Sequence, residues 1–151
     1  MKRILLIVLF CFVSMSFSKV DISLMKECSE VQDTSFLHGE LNDSTLYLAL
    51  EYYNIKHPRI VLAQAKLESG NYTSDHCVKR NNFLGLYNSR KKEYFSFKHW
   101  TDCIKGYKNM VEYKLKDDED YYDFLIRIGY AEDPSYVYKV KQIENNLEYD
   151  R

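Results

Sequence analysis

The sequence predicts a mainly α protein: about five to six short helices around one acid-bearing helix, with a small β-hairpin arm. Three observations carry that reading. Apolar residues recur at helical spacing in several separate stretches between residues 45 and 143. One of these stretches is bracketed by Pro58 and Gly70, a start and a stop for a helix. Only residues 81–97 break the helical rhythm, with aromatic and aliphatic flanks around a polar Asn-Ser-Arg-Lys-Lys centre, the signature of a hairpin.

At the N-terminus, Lys2 and Arg3 precede an apolar run from Ile4 to Phe12, and Ser16-Phe17-Ser18 offers small residues around a cleavage point. Residues 1–18 therefore read as a secretory signal, too short to span a bilayer permanently. Cys11 sits inside the apolar run and is not read as a lipid-attachment site. A mature chain from Lys19, periplasmic or secreted, is expected. Residues 19–41 are polar and weakly patterned, a leader over the surface. The folded domain is expected over 42–146, with a short tail at 147–151.

Asn42-Asp43-Ser44 is a helix start signal, and Leu46, Leu48, Leu50 and Tyr53 continue it over Thr45–Tyr53. Asn54–His57 turns into the bracketed helix. There Val61, Ala65 and Glu68 fall at i, i+4 and i+7 and share one face, apolar except for Glu68. Ser74 or Asp75 caps one turn through Val78. The hairpin follows, then a helix over Trp100–Leu115 with Cys103, Ile104, Tyr107 and Val111 on one face. Acidic residues 116–120 lead into a helix over Tyr121–Ile128, stopped by Gly129. Asp133-Pro134 starts the last helix, whose buried face is Tyr136, Val137, Val140 and Ile143.

The formal net charge of −1 becomes −3 without residues 1–18, which leaves 19 basic and 22 acidic residues. A mildly acidic chain is a poor general binder of nucleic acid or anionic lipid. Cys28, Cys77 and Cys103 survive signal removal; the odd count allows one disulfide and leaves its pairing open. Their spacing matches no zinc pattern, and no metal or other cofactor is expected.

Glu68 is the candidate general acid. Apolar surroundings and the negative end of the helix dipole both disfavour its charged form, and a carboxyl kept protonated near neutral pH suits proton donation. Asn82, Phe83, Tyr87 and Tyr94, in or beside the arm, are candidate substrate-binding residues, three with aromatic faces to stack and one with an amide to hydrogen-bond. Glu93 is the only carboxylate of the arm, but three basic neighbours, Arg90, Lys91 and Lys92, favour a solvated charge.

Three segments in order resemble a known family: Leu62-Ala-Gln-Ala-Lys-Leu-Glu-Ser-Gly70, Asn81-Asn-Phe-Leu-Gly-Leu86, and Gly129-Tyr-Ala-Glu-Asp-Pro-Ser-Tyr136 followed by Lys139-Val-Lys-Gln-Ile143. Together they are similar to the glucosaminidase domain of bacterial cell-wall hydrolases, glycoside hydrolase family 73 in the lysozyme-like superfamily, in the short secreted form found in Bacteroidetes. The resemblance covers about His57 to Ile143. It implies a lysozyme-like helical fold with a small β-lobe beside the cleft. It also implies metal-independent cleavage of the β-1,4 bond after N-acetylglucosamine in peptidoglycan or a related glycan, with Glu68 as general acid. The family pattern Asn-x-Phe-Gly is shifted by one position here, to Asn82-Phe83-Leu84-Gly85.

Glycosidases generally use two carboxylates. For the second role the sequence offers Glu93 as a base, or the substrate's own acetamido group oriented by Tyr130 or Tyr136. Two other readings remain on the same fold: a non-catalytic glycan-binding module and a lytic transglycosylase. The expected partner is a glycan, not nucleic acid, with no membrane span, and the chain is expected to be a monomer.

Overall fold

The Pro58–Gly70 stretch folds as the sequence predicts, and much of the core forms around it. In the computed structural model, which describes residues 33–147, the order is a 3₁₀ turn (Ser35–His38), α1 (Asp43–Tyr52), α2 (Pro58–Ser69), α3 (Asp75–Arg80), β1 (Tyr87–Asn88), β2 (Glu93–Tyr94), α4 (Trp100–Met110), a second 3₁₀ turn (Glu112–Lys114), α5 (Tyr121–Arg127) and α6 (Tyr136–Asn145). The expected signal segment, its cleavage point and Cys28 lie outside the described residues, as does most of the tail. Among the described residues no helix is long and apolar enough to cross a membrane.

The caps explain where the helices begin. Asn42 accepts from the Thr45 amide while the Thr45 hydroxyl accepts from the Asn42 amide, a reciprocal capping box that starts α1 two residues before Thr45. Pro58 occupies the first turn of α2, where its missing N–H costs nothing. Gly70 closes α2 in the left-handed region at φ 55°, and the Asn71 amide reaches back to the Lys66 carbonyl at 2.9 Å. Ser74, not Asp75, caps α3. The last helix starts later than the sequence suggests. Asp133 and Pro134 form a turn instead: the Asp133 side chain accepts from the Ser135 amide at 2.8 Å and pairs with Lys139, and the helix begins at Tyr136.

Helix α2 packs against α6 and α1, with α5 also against α6. Val61, Leu62 and Ala65 are fully buried there beside Leu46, Leu50 and Val140. Burying a side chain such as Leu62 contributes about 1.5–3 kcal/mol. Trp100 belongs to the core, with its indole N–H donating to the Gly39 carbonyl at 2.9 Å. That bond ties part of the polar leader to the domain, and Phe36, Leu37 and Leu41 pack on the same core. Cys77 and Cys103 are free and buried, and burial pushes the Cys103 thiol up to about 12.

The arm is smaller than its sequence signal. Its antiparallel strands pair in one register, Tyr87 with Tyr94 and Asn88 with Glu93. The Asn88 side chain accepts from the Arg90 and Lys91 amides to shape the turn.

Candidate active site

Glu68 stands on the last turn of α2, partly buried, and faces the loop that follows α3. Gly85 of that loop is held at φ 61°, where side chains are disfavoured. A Cβ there would lie 2.7 Å from Glu68 Oε2, so the position requires glycine for backbone and for space. Burial raises the Glu68 pKa. A hydrogen bond from the Tyr136 hydroxyl opposes that shift without cancelling it.

Beside Glu68 opens a cleft of about 250 Å³. Its walls include Leu84, Gly85, Tyr87, Phe95, Met110, Lys114 and Tyr130, and Glu68 is the one carboxylate among the described residues that line it. A larger hollow, about 720 Å³, lies between the start of α1, the end of α2 and the end of α6. It does not contain Glu68, and the Lys66 and Asp43 on its rim pair with each other, so the smaller cleft is the chemically relevant one.

The structure gathers some of the predicted residues and separates others. Tyr130 and Tyr87 line the cleft with Glu68, and Tyr136 sits behind the acid with its ring 5.6 Å from that of Tyr130. Tyr130 donates its hydroxyl hydrogen to the Leu84 carbonyl at 2.8 Å, which pins the ring across the cleft wall. Tyr94 is exposed on the arm, edge-on to Tyr87 at 5.1 Å and against the His76 ring at 4.0 Å.

Asn82 and Phe83 are buried rather than presented to a sugar. The Asn82 amide donates to the Leu86 and Phe95 carbonyls at 2.9 and 3.0 Å, and its oxygen accepts from the Leu86 amide at 2.9 Å. It is a brace for the loop that carries Gly85. Phe83 fills the core together with Leu84, so the shifted aromatic of the second motif is packing, not cleft floor. Glu93 points to solvent, 4.0 Å from Lys91 and away from the cleft lining.

Three further residues near the acid are given no role by the sequence. Gln64, one turn before Glu68, is completely buried and donates to the Tyr136 hydroxyl at 3.2 Å. Its oxygen accepts from Tyr107 and Tyr121 at 3.2 and 3.3 Å, and these two hydroxyls also bond each other. In the sequence Gln64 is one residue of the first motif, Tyr107 a position on a helical face and Tyr121 the start of a helix; their convergence appears only in the fold. Among the described residues no group of three or more His, Cys, Asp or Glu is arranged to hold a metal ion.

The family model described as mannosyl-glycoprotein endo-beta-N-acetylglucosaminidase matches residues 44–149, a span that contains the cleft and every residue named around it. No curated protein and no solved structure matches the chain.

Proposed function

Because the chain belongs to the glucosaminidase family, whose function is of the glycan-hydrolase type, we propose that it cleaves the β-1,4 bond after N-acetylglucosamine in peptidoglycan or a related glycan, with Glu68 as general acid. The observation that carries this reading is a single carboxyl, inclined by burial to keep its proton, on the wall of an aromatic-lined cleft. In this mechanism Glu68 gives its proton to the leaving glycosidic oxygen as the bond to the sugar carbon breaks.

The second role falls to the substrate. With Glu93 in solvent and no second carboxylate among the described cleft residues, the acetamido carbonyl oxygen bonds to the sugar carbon as the leaving group departs. Tyr130, whose own hydrogen is held by the Leu84 carbonyl, keeps a lone pair to accept the acetamide N–H. Water then attacks the same carbon, opens the ring intermediate and returns a proton to Glu68. The configuration at that carbon is retained. Tyr87 on the cleft wall, and Tyr94 edge-on to it, offer exposed rings for further sugar units.

One acid in the cleft also suits a lytic transglycosylase, and the products separate the two. Digestion of purified cell-wall sacculi should release new reducing ends; anhydro-sugar ends would assign the second activity, and no soluble product would leave a binding module. The substrate implies export, and mature protein collected outside the cytoplasm should begin near Lys19 on N-terminal sequencing.

A further inference from the structure

We propose that Lys114 on the cleft wall and the basic turn of the arm, residues 90–92, bind carboxylates carried by the glycan, so that the preferred strand is anionic rather than neutral. The inference rests on the glycan site described above and narrows its substrate class.

The cation on the cleft wall is held in place and left unneutralised. Among the described residues that line the cleft, only Glu68 and Lys114 have an acidic or basic side chain. Burial inclines Glu68 to keep its proton, which leaves Lys114 as the standing charge. Lys114 is exposed, with its ammonium 5.7 Å from the centre of the Tyr113 ring. Acids near it in the chain are engaged elsewhere. Glu112 is buried and accepts from the Lys56 amide at 2.7 Å. Glu119 accepts two hydrogen bonds from Arg127, at 2.5 and 2.7 Å. The same guanidinium donates to the Lys114 carbonyl at 2.8 Å, which fixes the backbone from which the lysine projects.

The arm supplies the second group. Tyr87 lines the cleft, and its strand runs on through Asn88 into the turn. Arg90 is three residues on from Tyr87, at most about 11 Å along the chain. Arg90, Lys91 and Lys92 are all exposed. Glu93 stands 4.0 Å from Lys91, while Arg90 and Lys92 have no ion-pair partner among the described residues. Residues 87–98 hold four basic side chains and one acid, a net +3 in a chain whose total is −1.

Tyr87 and Tyr94 give ring faces to sugars, and the cations suit what hangs from those sugars. A neutral chitin-like strand offers Arg90, Lys92 and Lys114 nothing. Peptidoglycan offers them an acid substituent on every second sugar. One exposed ion pair contributes little. Several on one polymer add up, because after the first contact the next forms within the same complex. The cations then draw the strand in and hold it, and bond breaking stays with Glu68.

The test compares one glycan in two charge states. Peptidoglycan strands with free carboxylates, the same strands amidated, and chitin oligosaccharides are offered to the Glu68→Gln chain at low and high salt. The free-acid strand should bind about tenfold more tightly than the other two at low salt, and the advantage should shrink as salt rises. Arg90→Gln/Lys92→Gln and Lys114→Gln should each remove about two- to fivefold of that advantage and leave the amidated strand bound as before. With Glu68 in place, the same substitutions should raise KM on the free-acid strand and leave kcat alone. Equal affinity for the two charge states, or a preference that survives all three substitutions, overturns the proposal. So does tighter salt-sensitive binding to phosphatidylglycerol vesicles, which would assign the cations to a membrane surface. A wild-type chain that binds the free-acid strand through these residues but cleaves no strand sinks the hydrolase mechanism and leaves this site standing. One that binds no glycan overturns both.

Discussion

Glu68 sits in the last turn of a twelve-residue helix that packs against two others; Glu93 opens a strand of two residues. Both are glutamates near the same lobe, yet one is enclosed and the other is 60% exposed. Around Glu68 stand a glycine that leaves space, a tyrosine hydroxyl and a buried amide that holds that hydroxyl. Around Glu93 stand water and a lysine 4.0 Å away, a pair worth little at an exposed site. The chemistry of a carboxyl is set by what holds it, and a two-residue strand lacks the packing to hold one in place.

Substitutions put that contrast to the test. Glu68→Gln should keep the fold and lower turnover on sacculi by about a hundred- to ten-thousand-fold, the contribution of general acid catalysis. A folded Glu68→Gln protein with wild-type rates would end the argument for Glu68. Gly85→Ala comes next, because the new methyl group must push the acid out of position. Displacing a catalytic group by about 1 Å costs on the order of a hundred-fold, and the left-handed backbone adds about 1–2 kcal/mol of instability. An active and equally stable Gly85→Ala enzyme would show that the loop yields easily.

Tyr130→Phe removes the hydroxyl proposed to accept the acetamide N–H, and Tyr136→Phe the one that addresses Glu68. Each should cost about 1–3 kcal/mol where a partner is left unpaired, roughly ten- to a hundred-fold in rate. The two should differ in kind, since only Tyr136→Phe should shift the pH profile. A smaller effect is expected on stability. Because burial raises the Glu68 pKa, the folded chain holds that proton more tightly than the unfolded chain, and ionisation costs stability as pH rises through and above the ordinary carboxylate range. Glu68→Gln should therefore melt a few degrees above wild type at neutral pH, with the gap closing in acid. Last, Glu93→Gln should change rate by less than about twofold and leave the melting temperature in place. An inactive Glu93→Gln paired with two active tyrosine variants would replace the acetamido route by a carboxylate base.

What the sequence made legible follows from range. Pro58, Gly70, Asn42 and Ser74 act on backbone groups within a few residues, so the bounds of α1, α2 and α3 can be read locally. The position of Glu68 on an apolar face is equally local. Asp133 misled on the start of α6 because its side chain satisfies the same amide geometry in a turn as at a cap. Asn82 and Phe83 misled for another reason. Residue type alone cannot tell an amide that binds sugar from one that braces a loop, and the difference lies in the Phe95 carbonyl thirteen residues away. Gln64 lies furthest beyond reach. Its hydrogen bonds go to side chains 43, 57 and 72 residues distant that meet only in the folded core.

Asn82 also has a bearing on time. One buried amide bridges the two stems of the arm, at Leu86 and Phe95, and the Phe95 amide closes the same junction on the Leu86 carbonyl at 3.0 Å. Beyond that junction only two residue pairs continue the ladder. Amide exchange should split there: slow at Leu86 and Phe95, where release requires the core to open, and fast from Tyr87 to Tyr94. Under the proposed function, a glycan would meet a cleft floor braced from the core and a rim, carrying Tyr87 and Tyr94, that is held by two residue pairs alone.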